Sequence, residues 1–203
     1  MPDYLAIILS CVGGYLFGSI PFGLVIARMA GLGDIRAIGS GNIGATNVLR
    51  TGRKDLALAT LLADSLKAGL AVLLFSLIFA RHAGLLAGAF AFIGHCFPIW
   101  LAFKGGKGIA TYAGLLAFAS WQGFLIACPI WLGVFAISRI SSLAALCAAA
   151  AVPPGAYLLG ETDFAVGVLA ALSILVFWTH RANISRLIKG EEPRFGAKKD
   201  EAG

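Results

Sequence analysis

Long apolar stretches, largely free of charge, alternate along this chain with short polar clusters. A helix needs about 20 apolar residues to cross the roughly 30 Å hydrocarbon core of a membrane. Stretches of this kind predict five spans: Tyr4–Ala27, Asp55–Ala80, Ala83–Phe103, Ile140–Gly160 and Phe164–Thr179. The pattern therefore predicts an all-α, polytopic membrane protein.

The uncharged stretch Gly108–Ser138 is too long for one comfortable span and short for two. At its centre, Trp121, Gln122 and Gly123 combine an interfacial aromatic residue with turn-tolerant residues. We therefore predict two short helices here, which brings the total to seven transmembrane helices.

The basic residues test this count, because cytoplasmic loops of membrane proteins are enriched in Lys and Arg. With seven spans and an outside N-terminus, every Lys and Arg is cytoplasmic except Lys67, inside a span, and Arg81, in an outer loop. Six spans would scatter them over both sides. We therefore predict a cytoplasmic C-terminus and polar cytoplasmic segments at about 30–54, 104–108, 139–142 and 180–203.

Composition excludes a water-soluble globule, because 59% of the 203 residues are apolar and 13% are charged, against about 25% charged in a typical soluble domain. We predict one integral-membrane domain over residues 1–203. The net charge of +6 is compatible with anionic lipid or anionic substrates, and we expect no nucleic acid partner. The charged tail from Glu191 is predicted to fray into solvent.

The first cytoplasmic loop contains Gly39–Asn47, with the sequence GSGNIGATN, followed by Arg50. Gly39, Gly41 and Gly44 match G-x-G-x-x-G, but a dinucleotide site requires a preceding strand, and here the run follows a membrane helix. Glycines still let backbone N–H groups approach an anion. Phosphate binding and tight packing are equally compatible with this loop.

The second loop, Lys104–Gly108, is not a nucleotide-binding P-loop, because glycine follows Lys107 where Ser or Thr would hold magnesium. Two lysines and adjacent glycines at a helix start predict an anion site of ammonium groups, N–H donors and the helix dipole. The alternative is that the lysines anchor the loop at lipid headgroups. The glycines between them favour the anion site.

Two further polar groups allow more than one interpretation. His180, Asn183 and Arg186 share a helix face, although a basic helix end that reaches lipid headgroups is the simpler explanation. Asp64 and Lys67 lie three residues apart inside a span, where charges are costly unless they are paired. We interpret them first as a structural ion pair and second as a substrate contact.

Missing patterns exclude several classes of enzyme. No histidine is followed five residues later by aspartate, as in common acyltransferases, and Ser40 is not part of a rhomboid-type G-x-S-G motif. The cytoplasmic segments lack the carboxylate and histidine cluster of a metal enzyme, so we expect no metal and no cofactor. Ser, Thr, Asn, Arg and Lys remain, and they suit phosphate binding. A transporter of anions or phosphorylated metabolites and a non-catalytic lipid-organising protein are the alternatives.

Four sequence blocks occur in order over most of the chain: GSIPFG at 18–23, GSGNIGATNVLR at 39–50, FKGGKG at 103–108 and HRANISRL at 180–187. Together with DSLKAG at 64–69, they resemble the bacterial acyl-phosphate:glycerol-3-phosphate acyltransferases of the inner membrane. The resemblance implies seven membrane helices, an outside N-terminus and an active site that faces the cytoplasm.

The resemblance also implies transfer of a fatty acyl group from acyl phosphate to the 1-hydroxyl of glycerol 3-phosphate, giving lysophosphatidic acid and phosphate. It implies coupling to an enzyme that produces acyl phosphate. Catalytic positions of the family match Ser40, Arg50, Lys104, His180 and Asn183. Its substrate-binding positions match Gly39, Gly41, Asn42, Gly44, Thr46, Asn47, Gly105, Gly106, Lys107, Gly108 and Ser142. For His180, a positioning role is favoured over that of a general base.

Overall fold

Ten α-helices make up most of the computed structural model, which describes residues 3–196. Their bounds are α1 Asp3–Ser19, α2 Phe22–Met29, α3 Ala45–Leu49, α4 Lys54–Ile78, α5 Arg81–Cys96, α6 Ile109–Ala119, α7 Trp121–Ser138, α8 Ser141–Leu158, α9 Asp163–Thr179 and α10 Arg181–Lys189. Short 3₁₀ helices occupy Ile35–Ala37 and Ile99–Leu101. The predicted all-α fold is confirmed.

Five helical segments of the described chain are long and apolar enough to cross a membrane: Asp3–Met29, Lys54–Ile78, Arg81–Leu101, Trp121–Ser138 and Ser141–Leu158. The pair formed by α9 and α10 is bent by 60° and becomes a sixth if it is counted as one span. Leucines such as Leu62, Leu70 and Leu77 of α4 are exposed on the outside of the bundle. A lipid-facing surface explains why so many apolar side chains remain uncovered.

The first predicted span, Tyr4–Ala27, is interrupted in the structure. Helix α1 ends at Ser19 and α2 begins at Phe22, because Pro21 between them has no N–H to continue the hydrogen-bond ladder. The ammonium group of Lys67 donates a 2.8 Å hydrogen bond to the carbonyl of Ile20 in this break. An ionic side chain of α4 thus satisfies a backbone group that the break leaves without its helical partner.

The third predicted span, Ala83–Phe103, is also shorter as a regular helix. Helix α5 ends at Cys96, and the chain turns through Pro98 and the 3₁₀ helix before it reaches the second loop. The residue before a proline disfavours the helical conformation, which explains why α5 stops here.

The predicted division of Gly108–Ser138 into two helices is confirmed, although the two are unequal. Helix α6 has 11 residues and α7 has 18. They meet at Ser120, whose hydroxyl oxygen accepts a 3.2 Å hydrogen bond from the backbone N–H of Gly123. The side-chain cap lies one residue before the predicted turn residues, and α7 begins at the first of them, Trp121.

Small residues let the helices approach closely. A Cβ atom on Gly14 or Gly18 of α1 would lie 2.1 or 1.9 Å from the backbone oxygen of Ala87 or Ala91 of α5. The pairing of 14 with 87 and of 18 with 91 shows that α1 and α5 run in the same direction. Glycine is required at both positions because backbone lies where a side chain would be.

Asp64, Lys67 and His95 form a buried group that we call the inner cluster. The Lys67 ammonium lies 2.7 Å from Asp64 Oδ1 and 2.9 Å from His95 Nδ1, and the side chains of Asp64 and Lys67 are each 2% exposed. The predicted ion pair is therefore present. It joins α4 to α5 and to the break after α1.

The two ends of the bundle differ in their polar contacts. At one end, Arg81 at the start of α5 lies 3.4 Å from both the Ala119 carbonyl at the end of α6 and the Glu161 carboxylate before α9. At the other end, the loops 30–53 and 97–108, the start of α8 and the whole of α10 come together. A cavity lies at this second end.

Candidate active site

The cavity has a volume of about 980 Å³ and is lined by both predicted loops, by α4, α6, α7 and α8, and by α10 with the segment that follows it. Asp64 and His95 of the inner cluster also belong to its lining. Along α8, the lining changes from Ser142 to Ala145 and Ala149 over two helical turns. On α7 the lining side chains include Phe124, Trp131 and others that are apolar. The cavity therefore has a polar end at the helix ends and a mainly apolar end inside the bundle, where Asp64 and His95 are the ionisable lining residues.

The structure brings most of the predicted site residues together. The cavity lining includes Gly39, Ser40, Asn42, Gly44, Thr46, Asn47, Arg50, Lys107, Gly108, Ser142, His180 and Asn183. It does not include Gly41, Lys104, Gly105 or Gly106. Residues from segments far apart in sequence thus line one cavity. Of the predicted residues in the second loop, only Lys107 and Gly108 belong to the lining.

Asn47 holds the first loop in shape. Its side-chain amide donates a 2.8 Å hydrogen bond to the Ile35 carbonyl, and its Oδ1 accepts from the Ser40 N–H at 3.0 Å and from the Ser40 hydroxyl at 3.3 Å. The residue is 1% exposed. Asn47 was expected to bind substrate, but both ends of its amide are engaged within the loop, so its evident role is to shape the cavity wall.

The backbone N–H groups of the first loop are partly used as well. Gly41 donates to the Ile38 carbonyl at 3.0 Å, and Gly44 donates to Asn42 Oδ1 at 3.3 Å. The sequence leaves phosphate binding and tight packing equally open for this loop. These contacts favour tight packing for those N–H groups and leave the side chains to bind a ligand.

Arg50 is exposed at the polar end of the cavity, one residue after α3. Gly39 has φ +59, and a Cβ there would lie 2.8 Å from Arg50 Cδ and 2.5 Å from Asn47 Oδ1. A larger residue would push both side chains aside. Within residues 3–196, no carboxylate lies within 4 Å of the Arg50 guanidinium. Its charge is therefore available to an anionic ligand.

Gly105 and Gly106 of the second loop direct their N–H groups away from the cavity, which differs from the predicted anion nest, whereas Gly108 lines the cavity. Gly105 donates to the Cys96 carbonyl at 3.0 Å, and Gly106 donates to the His95 carbonyl at 3.0 Å. A Cβ on Gly106 would lie 2.1 Å from His95 Nε2. These two positions have no room for a larger residue because the loop packs directly onto the end of α5.

The two lysines of this loop have different positions. Lys104 is exposed and outside the cavity lining, whereas Lys107 lines the cavity and donates a 2.5 Å hydrogen bond to Asn183 Oδ1. Of the two lysines, the structure therefore places Lys107 at the cavity and not Lys104, for which the resemblance implies a catalytic position. The motif contains two lysines three residues apart, and its pattern alone does not distinguish them.

Burial lowers the pKa of Lys107 to about 8. The Glu192 carboxylate opposes this shift, and the Arg186 and Arg50 guanidinium groups add to it. Several cations therefore converge at the polar end of the cavity. Because these cations repel one another, an anion that binds between them is attracted by all of them.

His180 lies between α9 and α10 and is 2% exposed. Its Nδ1 donates a 2.9 Å hydrogen bond to the Val176 carbonyl, because a carbonyl oxygen can only accept. The neutral ring therefore has a lone pair on Nε2. Burial lowers the pKa of His180 to about 4, so the ring is neutral at physiological pH.

Glu192 completes the polar end of the cavity and was missed by the sequence analysis. Its carboxylate accepts hydrogen bonds from Ser142 at 2.6 Å, from Asn183 at 2.5 Å and from Arg186 at 2.7 Å. The Ser142 hydroxyl thus contacts Glu192, and the N-cap position of α8 is Ile140.

The segment after α10 does not fray at Glu191, in contrast to the prediction. The backbone N–H of Phe195 donates to the Arg139 carbonyl at 2.7 Å, and its ring packs against Phe135 with centroids 5.9 Å apart. Residues 197–203 of the predicted frayed tail lie outside the described residues. The sequence of this segment does not predict its order, because the residues that it contacts, Phe135 and Arg139, are distant in the chain.

The sequence model of the glycerol-3-phosphate acyltransferase family matches residues 8–190 of this chain. The chain belongs to this family. The glycerol-3-phosphate acyltransferase of Hyphomonas neptunium is 67% identical over 204 residues, covering 100% of this chain and 99% of the relative. That of Maricaulis maris is 60% identical over 201 residues, covering 99% and 93%. The resemblance seen in the sequence blocks is confirmed.

Solved structures of PlsY, an integral membrane glycerol 3-phosphate acyltransferase, have the same fold. Its glycerol 3-phosphate form gives a TM-score of 0.88 at 34% identity and covers 94% of this chain and 96% of PlsY. Its lysophosphatidic acid form gives a TM-score of 0.86 at 34% identity, covering 94% and 95%. The family match ends at residue 190, two positions before Glu192.

Proposed function

We propose that this protein transfers a fatty acyl group from acyl phosphate to the 1-hydroxyl of glycerol 3-phosphate, giving lysophosphatidic acid and inorganic phosphate. One observation carries the proposal: a single cavity with converging cations at one end and an apolar lining at the other. Both substrates bear a phosphate, and the acyl donor also bears a long apolar chain. Such a cavity matches the two substrates side by side.

Transfer is direct in this proposal. The 1-hydroxyl oxygen attacks the carbonyl carbon of acyl phosphate, a new C–O bond forms, and the bond from that carbon to the phosphate oxygen breaks. The hydroxyl proton passes to a phosphate oxygen of a substrate, and inorganic phosphate leaves. Because acyl phosphate is a mixed anhydride with a good leaving group, orientation and charge stabilisation supply the catalysis.

The contacts of the cavity serines favour this direct route over an acyl-enzyme. Ser40 contacts the amide oxygen of Asn47, which is not a base. Ser142 donates to Glu192, but Asn183 and Arg186 donate to the same carboxylate. Burial opposes ionisation of Glu192, yet these hydrogen bonds outweigh it and its pKa lies below the ordinary value. A carboxylate stabilised in this way is a poor base for activating serine.

We assign the phosphates to Arg50 and Lys107, with the Ser40 hydroxyl and Thr46 beside them in the cavity lining. Lys107 replaces Lys104, which the sequence analysis placed here, because Lys104 lies outside the lining. Gly105 and Gly106 support Lys107 by fixing the loop on α5.

His180 is assigned a positioning role together with Asn183. Its Nε2 can accept a hydrogen bond from a substrate hydroxyl, and a pKa of about 4 makes it a weak base. His180→Gln should keep substantial turnover with a raised KM for glycerol 3-phosphate. A loss of several orders of magnitude in kcat with unchanged binding would instead assign it the role of base.

For the membrane topology, we propose seven crossings, formed by α1 with α2, then α4, α5, α6, α7, α8 and α9. The N-terminus would be outside and the cavity would face the cytoplasm of a bacterial inner membrane. The contact of Arg81 with the end of α6 and with Glu161 supports this order, because all three belong to predicted outer loops. A cytoplasmic site also suits a supply of acyl phosphate from a separate enzyme.

The test uses purified full-length protein in lipid nanodiscs with chelator present. Palmitoyl phosphate and glycerol 3-phosphate should give lysophosphatidic acid and stoichiometric phosphate, whereas palmitoyl coenzyme A should give none. Product from coenzyme A alone would overturn the proposed donor. No product from either donor in folded protein would overturn the reaction and favour a transporter of phosphorylated metabolites.

A further inference from the structure

The carboxylate of Glu192 connects three separate parts of the cavity wall. It accepts hydrogen bonds from Ser142 at the start of α8 and from Asn183 and Arg186 on α10. Asn183 in turn accepts from the Lys107 ammonium of the second loop. One side chain therefore ties α8, α10 and the second loop together, through groups that the proposed function assigns to substrate binding.

The backbone on both sides of Glu192 is fixed by contacts other than these side-chain hydrogen bonds. The N–H of Glu191 donates to the Arg186 carbonyl at 2.8 Å after the left-handed Gly190 ends α10, and Phe195 anchors the following turn to α7. The Glu192 side chain is 8% exposed. A carboxylate whose backbone is fixed in this way can orient the side chains that donate hydrogen bonds to it.

The orientation of the Asn183 amide follows from this arrangement. Its Nδ2 donates to Glu192, so its Oδ1 is turned towards Lys107 and accepts from the ammonium. Without the carboxylate, the amide is free to rotate about its terminal torsion, which is broad. Lys107 would then lose the acceptor that fixes its ammonium at the polar end of the cavity.

We propose that Glu192 is a positioning residue of the acyl transfer, which orients Asn183 and thereby holds the Lys107 ammonium against the substrate phosphate. The inference rests on the proposed function, since it concerns the same cavity. Glu192 does not touch the reacting atoms in this assignment. It acts through Asn183 and Lys107.

An opposite role for the same carboxylate gives the sharpest alternative. A carboxylate on Ser142, Asn183 and Arg186 could instead occupy the place of a substrate phosphate and compete with it. The two roles predict opposite changes when the negative charge is removed. A positioning carboxylate raises the KM for glycerol 3-phosphate when it is lost, and a competing carboxylate lowers it.

The experiment compares Glu192→Gln and Glu192→Asp with Glu191→Gln, a neighbouring exposed carboxylate. Steady-state kinetics are measured in nanodiscs with palmitoyl phosphate and varied glycerol 3-phosphate. We expect Glu192→Gln to lower kcat/KM for glycerol 3-phosphate by roughly ten- to a hundredfold, mainly through KM. Glu192→Asp should recover part of the loss, and Glu191→Gln should match wild type.

The pH profile supplies a readout that a merely structural role would not change. Glu192 favours the charged form of Lys107, whereas Arg50 and Arg186 disfavour it and the neighbouring His180 is neutral. Glu192→Gln should therefore move the alkaline limb of kcat/KM to lower pH. Thermal unfolding of each variant in the same nanodiscs separates this effect from loss of fold.

Each result decides between the alternatives. If Glu192→Gln lowers the KM for glycerol 3-phosphate, or if folded Glu192 variants match Glu191→Gln, the positioning role is overturned. If Glu192→Gln does not fold, Glu192→Asp decides, because it keeps the charge and shortens the reach by one methylene. Wild-type protein assayed in parallel tests the reaction itself, so an inactive wild type refutes the proposed function and not the role of Glu192 alone.

Discussion

The inner cluster and the polar end of the cavity contain similar side chains and differ in what they leave unpaired. In the inner cluster, the three donors of the Lys67 ammonium meet three acceptors: Asp64, His95 and the Ile20 carbonyl. At the cavity, the described residues offer Arg50 no carboxylate within 4 Å. The satisfaction of donors therefore separates a structural polar group from a binding group better than residue type does.

The largest expected effect is on the inner cluster. Lys67→Met leaves Asp64 buried without its ammonium partner and removes one of the two donors to the Ile20 carbonyl, which keeps the Phe22 N–H. Breaking a buried pair from one side costs about 3–5 kcal/mol, so we expect the free energy of unfolding to fall by that amount. The measurement is unfolding in mixed micelles titrated with a denaturing detergent.

The double variant Asp64→Asn with Lys67→Met is the matched control, because it removes both charges and should recover part of the lost stability. The activity of the fraction that remains folded should stay close to that of wild type. If Lys67→Met kept its stability and lost turnover instead, the inner cluster would belong to the reaction, and the contrast with the cavity would disappear.

Removal of Arg50 should have the largest effect on the reaction. The loss of one charged donor to a phosphate in a catalytic site lowers kcat/KM by about 10²- to 10³-fold. Arg50→Ala should not change the unfolding temperature, because its guanidinium is exposed and pairs with no described carboxylate within 4 Å. Arg53→Ala is the control, since that side chain pairs at the surface with Asp55.

The contrast is sharpened at the second loop, where two lysines share one motif. Lys107→Ala should lower kcat/KM for glycerol 3-phosphate by at least tenfold, because its ammonium lines the cavity. Lys104→Ala should change it by less than about threefold, as expected for an exposed surface charge. Equal losses in the two variants would show that the lining of the cavity does not identify the catalytic lysine.

The sequence predicted the architecture well where a local pattern determines it. Apolar length identified most of the helices, and Trp121–Gly123 located the division between α6 and α7 to within a residue or two. The spacing of Asp64 and Lys67 correctly predicted an ion pair. Each of these features depends on residues that are near one another in the chain.

Predictions from the sequence are wrong or incomplete mainly where partners are distant in the chain. The second-loop pattern predicts an anion nest, but the N–H groups of Gly105 and Gly106 bind carbonyls at the end of α5. Glu192 looked like part of a solvated tail, since nothing in its own segment shows that Ser142 lies 50 residues away in sequence and within 2.6 Å in space. The first span is different, because its break has a local signal in Pro21, which apolar length alone does not take into account.

The smallest expected effect is a change in the shape of a pH profile. Burial lowers the pKa of Lys107 to about 8, so its ammonium is charged below that pH and loses its proton above it. Because the neutral amine attracts a phosphate dianion less, kcat/KM for glycerol 3-phosphate should fall as pH rises through about 8. The substrate phosphate does not cause this limb, since its second ionisation is complete well below pH 8.

Lys107→Arg tests the assignment of that limb, because a guanidinium stays protonated throughout the accessible pH range. The variant should lose the decline above pH 8, even if its absolute rate is lower, and Lys104→Arg should keep it. A decline that persists unchanged in Lys107→Arg would assign the limb to another group. Lys107 would then resemble Lys67 in having a fixed charge, and the distinction between the cavity and the inner cluster would rest on Arg50 alone.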